Sequence, residues 1–182
     1  MYGLVNLAIE ELVTQVAGKP VWETIKQEVG FNDPGFVILD PYPDELTFAL
    51  VGSASKHLNM EPADVLHAFG KHWILFTAEK GYGELMTSTA DNLIDFLDNL
   101  DAMHARVEMS IEGLDLPSFD LEPLTDSTWT LRYFSSRQGL APMVSGLVEG
   151  LAEMFDEKWD ITHNIEESAN ADHEVFEISK AA

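Results

Sequence analysis

Apolar residues recur at steps of three and four through most of the first two-thirds of the chain, and then the repeat changes. Leu4, Ala8, Leu12 and Val16 predict a first helix, which Gly18 and Pro20 end. Val21 to Val29 predicts a short second helix stopped at Gly30, and the proline-rich stretch FNDPGFVILDPYPDE predicts a loop. Helical spacing returns from Glu45 to Leu58 and from Glu61 to Thr77, where Pro62 suits a first turn. After the glycine-bounded GYGEL, the strongest repeat predicts a single helix from Asp91 to Ile111. Beyond Pro117 the period falls to two. SFDLEPL and STWTLRYF alternate around TDS and predict a β-hairpin; KWDITHNI and HEVFEISK predict closing strands. Between them Leu140 to Phe155 predicts a helix in which Gly146 and Gly150, four apart, suit close approach to a flat group or another backbone. No repeat or low-complexity linker intervenes. The expected fold is one α+β domain over 1–182, with a helical lobe (about 1–60) and an α/β lobe (about 61–182) carrying a small antiparallel sheet.

Charge narrows the choice of partner. With 10 Lys+Arg against 32 Asp+Glu, the formal charge of −22 repels phosphate backbones and anionic headgroups, which argues against nucleic acid and membrane surfaces. No apolar run approaches the ~20 residues of a membrane span. The start MYGLVNLAIEELVTQ lacks a basic segment and reaches Glu10 and Glu11 early, so it does not read as a signal peptide, and a cytoplasmic protein is expected. The absence of cysteine removes thiolate nucleophiles, cysteine zinc sites, iron–sulfur ligation and covalent haem attachment. Phosphate-binding loops, dinucleotide glycine patterns, HExxH and GxSxG are missing as well, so nothing points to an enzyme. The acidic runs DNLDAM and IEESANADHE lack calcium-loop spacing. His67 and His72, five apart, face different directions on a helix and do not chelate one metal.

Two features carry chemistry. Leu93, Leu97, Leu100, His104, Val107 and Ile111 step by four and three, which puts His104 on the buried stripe of its helix. Such an imidazole is either a core histidine with satisfied ring nitrogens or an axial metal ligand. Second, Arg132 and Arg137, two of only three arginines, sit together in TLRYFSSRQGL. A guanidinium suits a planar carboxylate or phosphate, from a bound anion or from an internal Asp or Glu. Tyr133, Ser135 and Arg137 form Y-x-S-x-R and project from one face of extended chain. Their donors suit two carboxylates close together, which is what the haem propionates present. Trp73, Phe76 and Met143 read first as plain core, and otherwise as the wall of a cofactor site.

With His104 about thirty residues upstream of Y-x-S-x-R, at the end of a helical lobe, the chain resembles the H-NOX (haem nitric oxide/oxygen binding) family, which includes the haem domain of soluble guanylate cyclase. The resemblance covers essentially the whole chain, through MYGLVN, AFGKHW, GYGEL, NLDAMHARV, Pro117, YFSSR and GLAPMVSGLVEG. It implies haem b (iron protoporphyrin IX) buried between the lobes, His104 as proximal iron ligand, and Tyr133, Ser135 and Arg137 on the propionates. Arg132 matches no family position and stays an ordinary strand charge. Val5, Pro117 and Leu147 match positions that pack on the haem, and Ile9 adds an apolar wall. Oxygen-binding members carry a distal tyrosine on the helix after Y-x-S-x-R; here Met143 stands in its place, and no Tyr follows Tyr133. Trp73 stands where other members show a polar or aromatic residue facing the distal side, although a buried indole N–H usually already has a protein partner.

The resemblance therefore implies a sensor of NO, also binding CO, at a five-coordinate ferrous haem. Release of His104 would alter the surface seen by a separate signalling protein: a histidine kinase, a diguanylate cyclase or phosphodiesterase, or a chemotaxis receptor. The alternatives are an oxygen-binding haem sensor and a haem-free acidic interaction module.

Overall fold

In the computed structural model, which describes residues 1–111 and 114–181, the first two helices part at Gly18; residues 112, 113 and 182 of the expected 1–182 span lie outside the described residues. Gly18 has φ +85°, a conformation that side chains rarely adopt, and Pro20 opens the first turn of the next helix. Helices α1 (Gly3–Ala17), α2 (Lys19–Glu28), α3 (Asp44–Leu58) and α4 (Pro62–Thr77) follow the predicted order. Ile9, Val13, Trp22, Ile25, Leu50 and Phe69 from these four helices form one apolar core. A second core gathers Leu93, Phe96, Leu131, Val144, Val148 and Phe176. Helix α4 serves both, with Val65, Phe69 and Phe76 in the first and Ile74 in the second.

The partner of α4 in the second half is α8 (Ala141–Met154), and the two cross backbone to backbone. A Cβ on Gly146 would lie 2.0 Å from the His67 carbonyl oxygen, and one on Gly70 would lie 2.1 Å from that of Met143. Of the two neighbours that Gly146 and Gly150 allowed, a flat group or another backbone, the structure supplies the backbone of α4.

Between the cores the chain is more broken than its apolar repeat predicts. A π-helical turn (Ala78–Tyr82) containing Gly81 at φ +103° leads into α5 (Gly83–Thr89), and neither was anticipated. The single helix expected over Asp91–Ile111 is two: α6 (Leu93–Asp98) and α7 (Leu100–Glu108). Asn92 caps α6 by accepting from the Asp95 N–H at 2.9 Å, so the helix starts later than predicted. At Asn99 the side-chain amide donates to the Asp95 carbonyl at 2.8 Å, the same oxygen that the Asn99 backbone N–H uses at 3.1 Å. Competition of this kind favours ending a helix, and apolar periodicity does not register it.

The hairpin forms as predicted, with β1 (Ser118–Thr125) antiparallel to β2 (Thr128–Phe134). Strands β3 (Trp159–His163) and β4 (Glu174–Lys180) complete an antiparallel sheet in the order β1-β2-β4-β3, with the short helix α9 (Ile165–Ser168) between them in sequence. Leu131 pairs with Phe176, and Ile161 with Ile178, so the alternating apolar positions meet on the face that packs under α8. Among the described residues, no helix is long and apolar enough to cross a membrane.

Candidate functional site

A cavity of about 440 Å³ opens where the two cores meet, bounded by α1, α3, α4, α7, α8 and the segment 114–117. Nine of the ten residues singled out in the sequence line it: Val5, Ile9, Trp73, His104, Pro117, Tyr133, Arg137, Met143 and Leu147. The tenth, Ser135, lies on an adjoining polar cavity that shares Tyr133 and Arg137 with the first.

His104 stands one turn into α7, on a stripe whose members Leu97, Leu100, Val107 and Ile111 also face the cavity. It is half-buried rather than enclosed in packed core because that stripe meets open space. Its Nδ1 lies 3.0 Å from the Pro117 carbonyl oxygen. A carbonyl only accepts, so Nδ1 carries the proton and Nε2 is left with the lone pair. Nε2 has no hydrogen-bond partner among the described residues. Burial pushes the imidazole pKa below its ordinary value, outweighing the opposing pull of the Pro117 carbonyl, Asp101 and Glu108. The ring is therefore neutral at neutral pH. A fixed Nδ1–H, a free Nε2 and an apolar cavity suit an imidazole metal ligand, and the residues present fit a haem that would be held through Nε2. The Phe119 ring lies 5.9 Å from His104 and 5.3 Å from Tyr133, joining the imidazole to the end of β2. The strand stops at Phe134, so Ser135 and Arg137 lie in the bend that follows and not, as the sequence predicted, on one face of extended chain with Tyr133.

Tyr133 is nearly enclosed, and burial raises its phenol pKa against the opposing effects of Ser135 and Arg137. Its neighbours settle the question posed by the two arginines. Arg132 pairs with Asp120 at 3.1 Å and Glu122 at 2.7 Å across the hairpin, an ordinary strand charge as expected. Arg137 reaches across the cavity mouth. Its Nε donates to Asp44 Oδ2 at 2.7 Å, and its Nη1 donates to the Asp115 carbonyl at 2.9 Å. Burial works to raise the Asp44 carboxyl pKa, but the α-ammonium of Met1 and Arg137 together outweigh it and hold it below the usual range. Sequence reading missed Asp44 and Asp115, and no local signal marks them: Asp44 is 93 positions from Arg137.

The distal candidates lie on two crossing helices. Met143 and Leu147 come from α8, one turn apart, beside the tight contact at Gly146, while Trp73 comes from α4 and packs against Phe69 and Phe76. Trp73 is half-buried rather than enclosed, and its indole N–H makes no hydrogen bond among the described residues. No cluster of three or more His, Cys, Asp or Glu suited to a metal occurs among the described residues.

Comparison with known proteins agrees with this geometry. A family model described as Haem-NO-binding matches residues 2–163. Soluble guanylate cyclase gcy-35 of Caenorhabditis elegans is 34% identical over 158 residues, which make up 84% of this chain and 22% of that protein. Guanylate cyclase soluble subunit beta-2 of Rattus norvegicus is 30% identical over 124 residues, 65% of this chain and 18% of that protein. The chain thus spans under a quarter of these relatives' length. An H-NOX protein from S. oneidensis, solved in its Fe(II)NO ligation state, superposes with a TM-score of 0.90 at 25% identity over 100% of both chains. An oxygen-binding H-NOX domain related to soluble guanylate cyclases, solved as its oxygen complex, shares the fold with a TM-score of 0.81 at 18% identity, over 100% of this chain and 96% of that one. The chain belongs to the Haem-NO-binding (H-NOX) family of gas-sensing haem domains, a sensor rather than a catalyst.

Proposed function

We propose that this chain is a cytoplasmic NO sensor that also binds CO, with haem b held through His104 Nε2. The observation that carries this reading is the Nδ1–Pro117 hydrogen bond, which leaves Nε2 free on an apolar cavity wall. Haem would supply a ferrous iron at which NO and CO bind. His104 holds that iron from α7, Tyr133, Ser135 and Arg137 face the propionates, and Val5, Ile9, Pro117 and Leu147 keep water away. Release of His104 would free α7 to move relative to the sheet, to which Asp101 ties it by accepting from the Phe119 N–H at 2.9 Å. The changed surface acts on a separate histidine kinase, diguanylate cyclase or phosphodiesterase, or chemotaxis receptor, where the acidic exterior favours a basic patch.

Selectivity rests on Met143. A hydrogen-bond donor on this wall would favour oxygen, the more polar of the bound gases, far more than NO or CO. A hydrogen bond to a charged group contributes about 1.5–3 kcal/mol, roughly ten- to a hundredfold in affinity, and a thioether cannot donate one. His104→Gly is expected to lose the ferrous five-coordinate spectrum and regain it on addition of imidazole; an unaltered spectrum in the variant alone would show that another group holds the iron. The reduced protein in air-saturated buffer is expected to keep its ferrous bands or oxidise slowly to ferric.

The unpartnered Trp73 N–H favours a second reading, that of an oxygen sensor. A persistent low-spin oxy spectrum in wild type that disappears in Trp73→Phe would establish it in place of the NO-selective reading.

A further inference from the structure

We propose that Asp115 is a positioning residue for His104, fixing the carbonyl that orients the imidazole by tying its loop to the Y-x-S-x-R segment. Five residues, 115–119, connect the two halves of the site. At one end Asp115 is held twice: Arg137 Nη1 donates to its backbone oxygen at 2.9 Å, and the Ser136 hydroxyl donates to its Oδ2 at 2.6 Å. Arg137 Nη1 also lies 3.3 Å from that carboxylate oxygen. At the other end the Pro117 carbonyl accepts from His104 Nδ1 at 3.0 Å, and the Phe119 N–H donates to Asp101, on the turn of α7 before His104. Only Leu116 lies between the anchored carboxylate of Asp115 and the Pro117 carbonyl that faces the imidazole, too little chain for one to shift freely without the other.

Magnitudes separate this role from plain stabilisation. The Asp115 side chain is 59% exposed, and an ion pair so open to water adds little to folding. A group that orients the hydrogen-bond acceptor of a metal-ligating histidine has a larger lever, because the bond from Nδ1–H sets both ring orientation and ligand basicity. Losing Asp115 should leave the fold intact and weaken the bond that His104 makes.

The inference rests on His104 being the iron ligand, and the test keeps the two apart. Ferrous haem-loaded protein without gas is examined by resonance Raman for its iron–histidine stretch, and haem loss to excess apomyoglobin is timed. Asp115→Ala should lower the stretching frequency and speed haem loss about tenfold, with thermal stability close to wild type. Ser136→Ala should shift both in the same direction by less, and Asp115→Asn, which still accepts from Ser136, should restore part of the change. Glu122→Ala, which removes a partner of Arg132 on the same sheet, should change neither. A wild-type stretch in Asp115→Ala overturns the proposal, as does a lowered melting temperature with the stretch unmoved, which would mark a merely structural contact. An unchanged spectrum in His104→Gly would overturn the ligand assignment, and this inference with it.

Discussion

Arg132 and Arg137 carry the same guanidinium five positions apart, yet their surroundings give them different work. Arg132 lies along the hairpin between two exposed carboxylates, Asp120 and Glu122, where water screens the pairing and little depends on it. Arg137 has a side chain only 19% exposed, lines the cavity, and joins Asp44 of α3 to Asp115 beside Pro117. On the proposed function, a propionate arriving there would share a donor already engaged by two aspartates, and without that donor it would meet them unshielded. Arg137→Ala is therefore expected to lose haem to an apomyoglobin trap at least about tenfold faster than wild type, the equivalent of about 1.4 kcal/mol, while Arg132→Ala stays near wild type. Equal rates for the two variants would remove the basis for assigning the propionates to Arg137.

The crossing of α4 and α8 shows how helices can come close enough to wall a cavity from both sides. Trp73 and Met143 share a wall because Gly70 and Gly146 let the two backbones touch, and a methyl group at Gly146 would meet the His67 carbonyl with no flexible atom to yield. Two opposing effects apply to a helical Gly→Ala change: the alanine favours the helix by about 0.8–1.0 kcal/mol, and overpacking costs about 1–3 kcal/mol. At Gly146 the clash should win and lower the denaturation midpoint. At Gly52, in the middle of α3, a Cβ would meet nothing within 4 Å, so only the propensity gain remains and the midpoint should rise. Urea denaturation of the two variants checks this contrast, and a shift of the same sign in both would contradict the backbone-contact account.

Across the molecule, 32 acidic side chains face 10 basic ones, so the exterior repels itself wherever the ion pairs do not reach. Such self-repulsion weakens the compact state. Salt shortens its range, from a screening length of about 30 Å at 0.01 M to about 8 Å at 0.15 M. The melting temperature should therefore rise between those two concentrations, and it should do so with choline chloride as well as with sodium chloride, since screening does not depend on which monovalent cation supplies it. A melting temperature indifferent to salt would mean that repulsion among the acidic residues does not weaken the folded state. The same field bears on partner choice, because an encounter with a basic surface slows as salt is added.

Much of this was legible in one dimension. The 3.6 period of α1 and α4 and the two-residue alternation of β1 and β2 are local properties, so these elements could be placed without coordinates. His104 could be singled out because an apolar stripe repeats over a few residues, and Y-x-S-x-R because its donors lie close together in sequence, although only Tyr133 of the three is on the strand. The break at Asn99 was hidden because a side-chain amide competing for one carbonyl leaves no trace in the apolar repeat. The partners of Arg137 were hidden for another reason: Asp44 and Asp115 reach it over 93 and 22 positions, and only the packing of two cores around α4 brings them to one guanidinium. So were the state of His104, whose free nitrogen follows from the carbonyl of Pro117 thirteen residues on, and the open N–H of Trp73. Chemistry that depends on residue type and short spacing is written along the chain; which polar atoms end up satisfied is settled by what the fold places beside them.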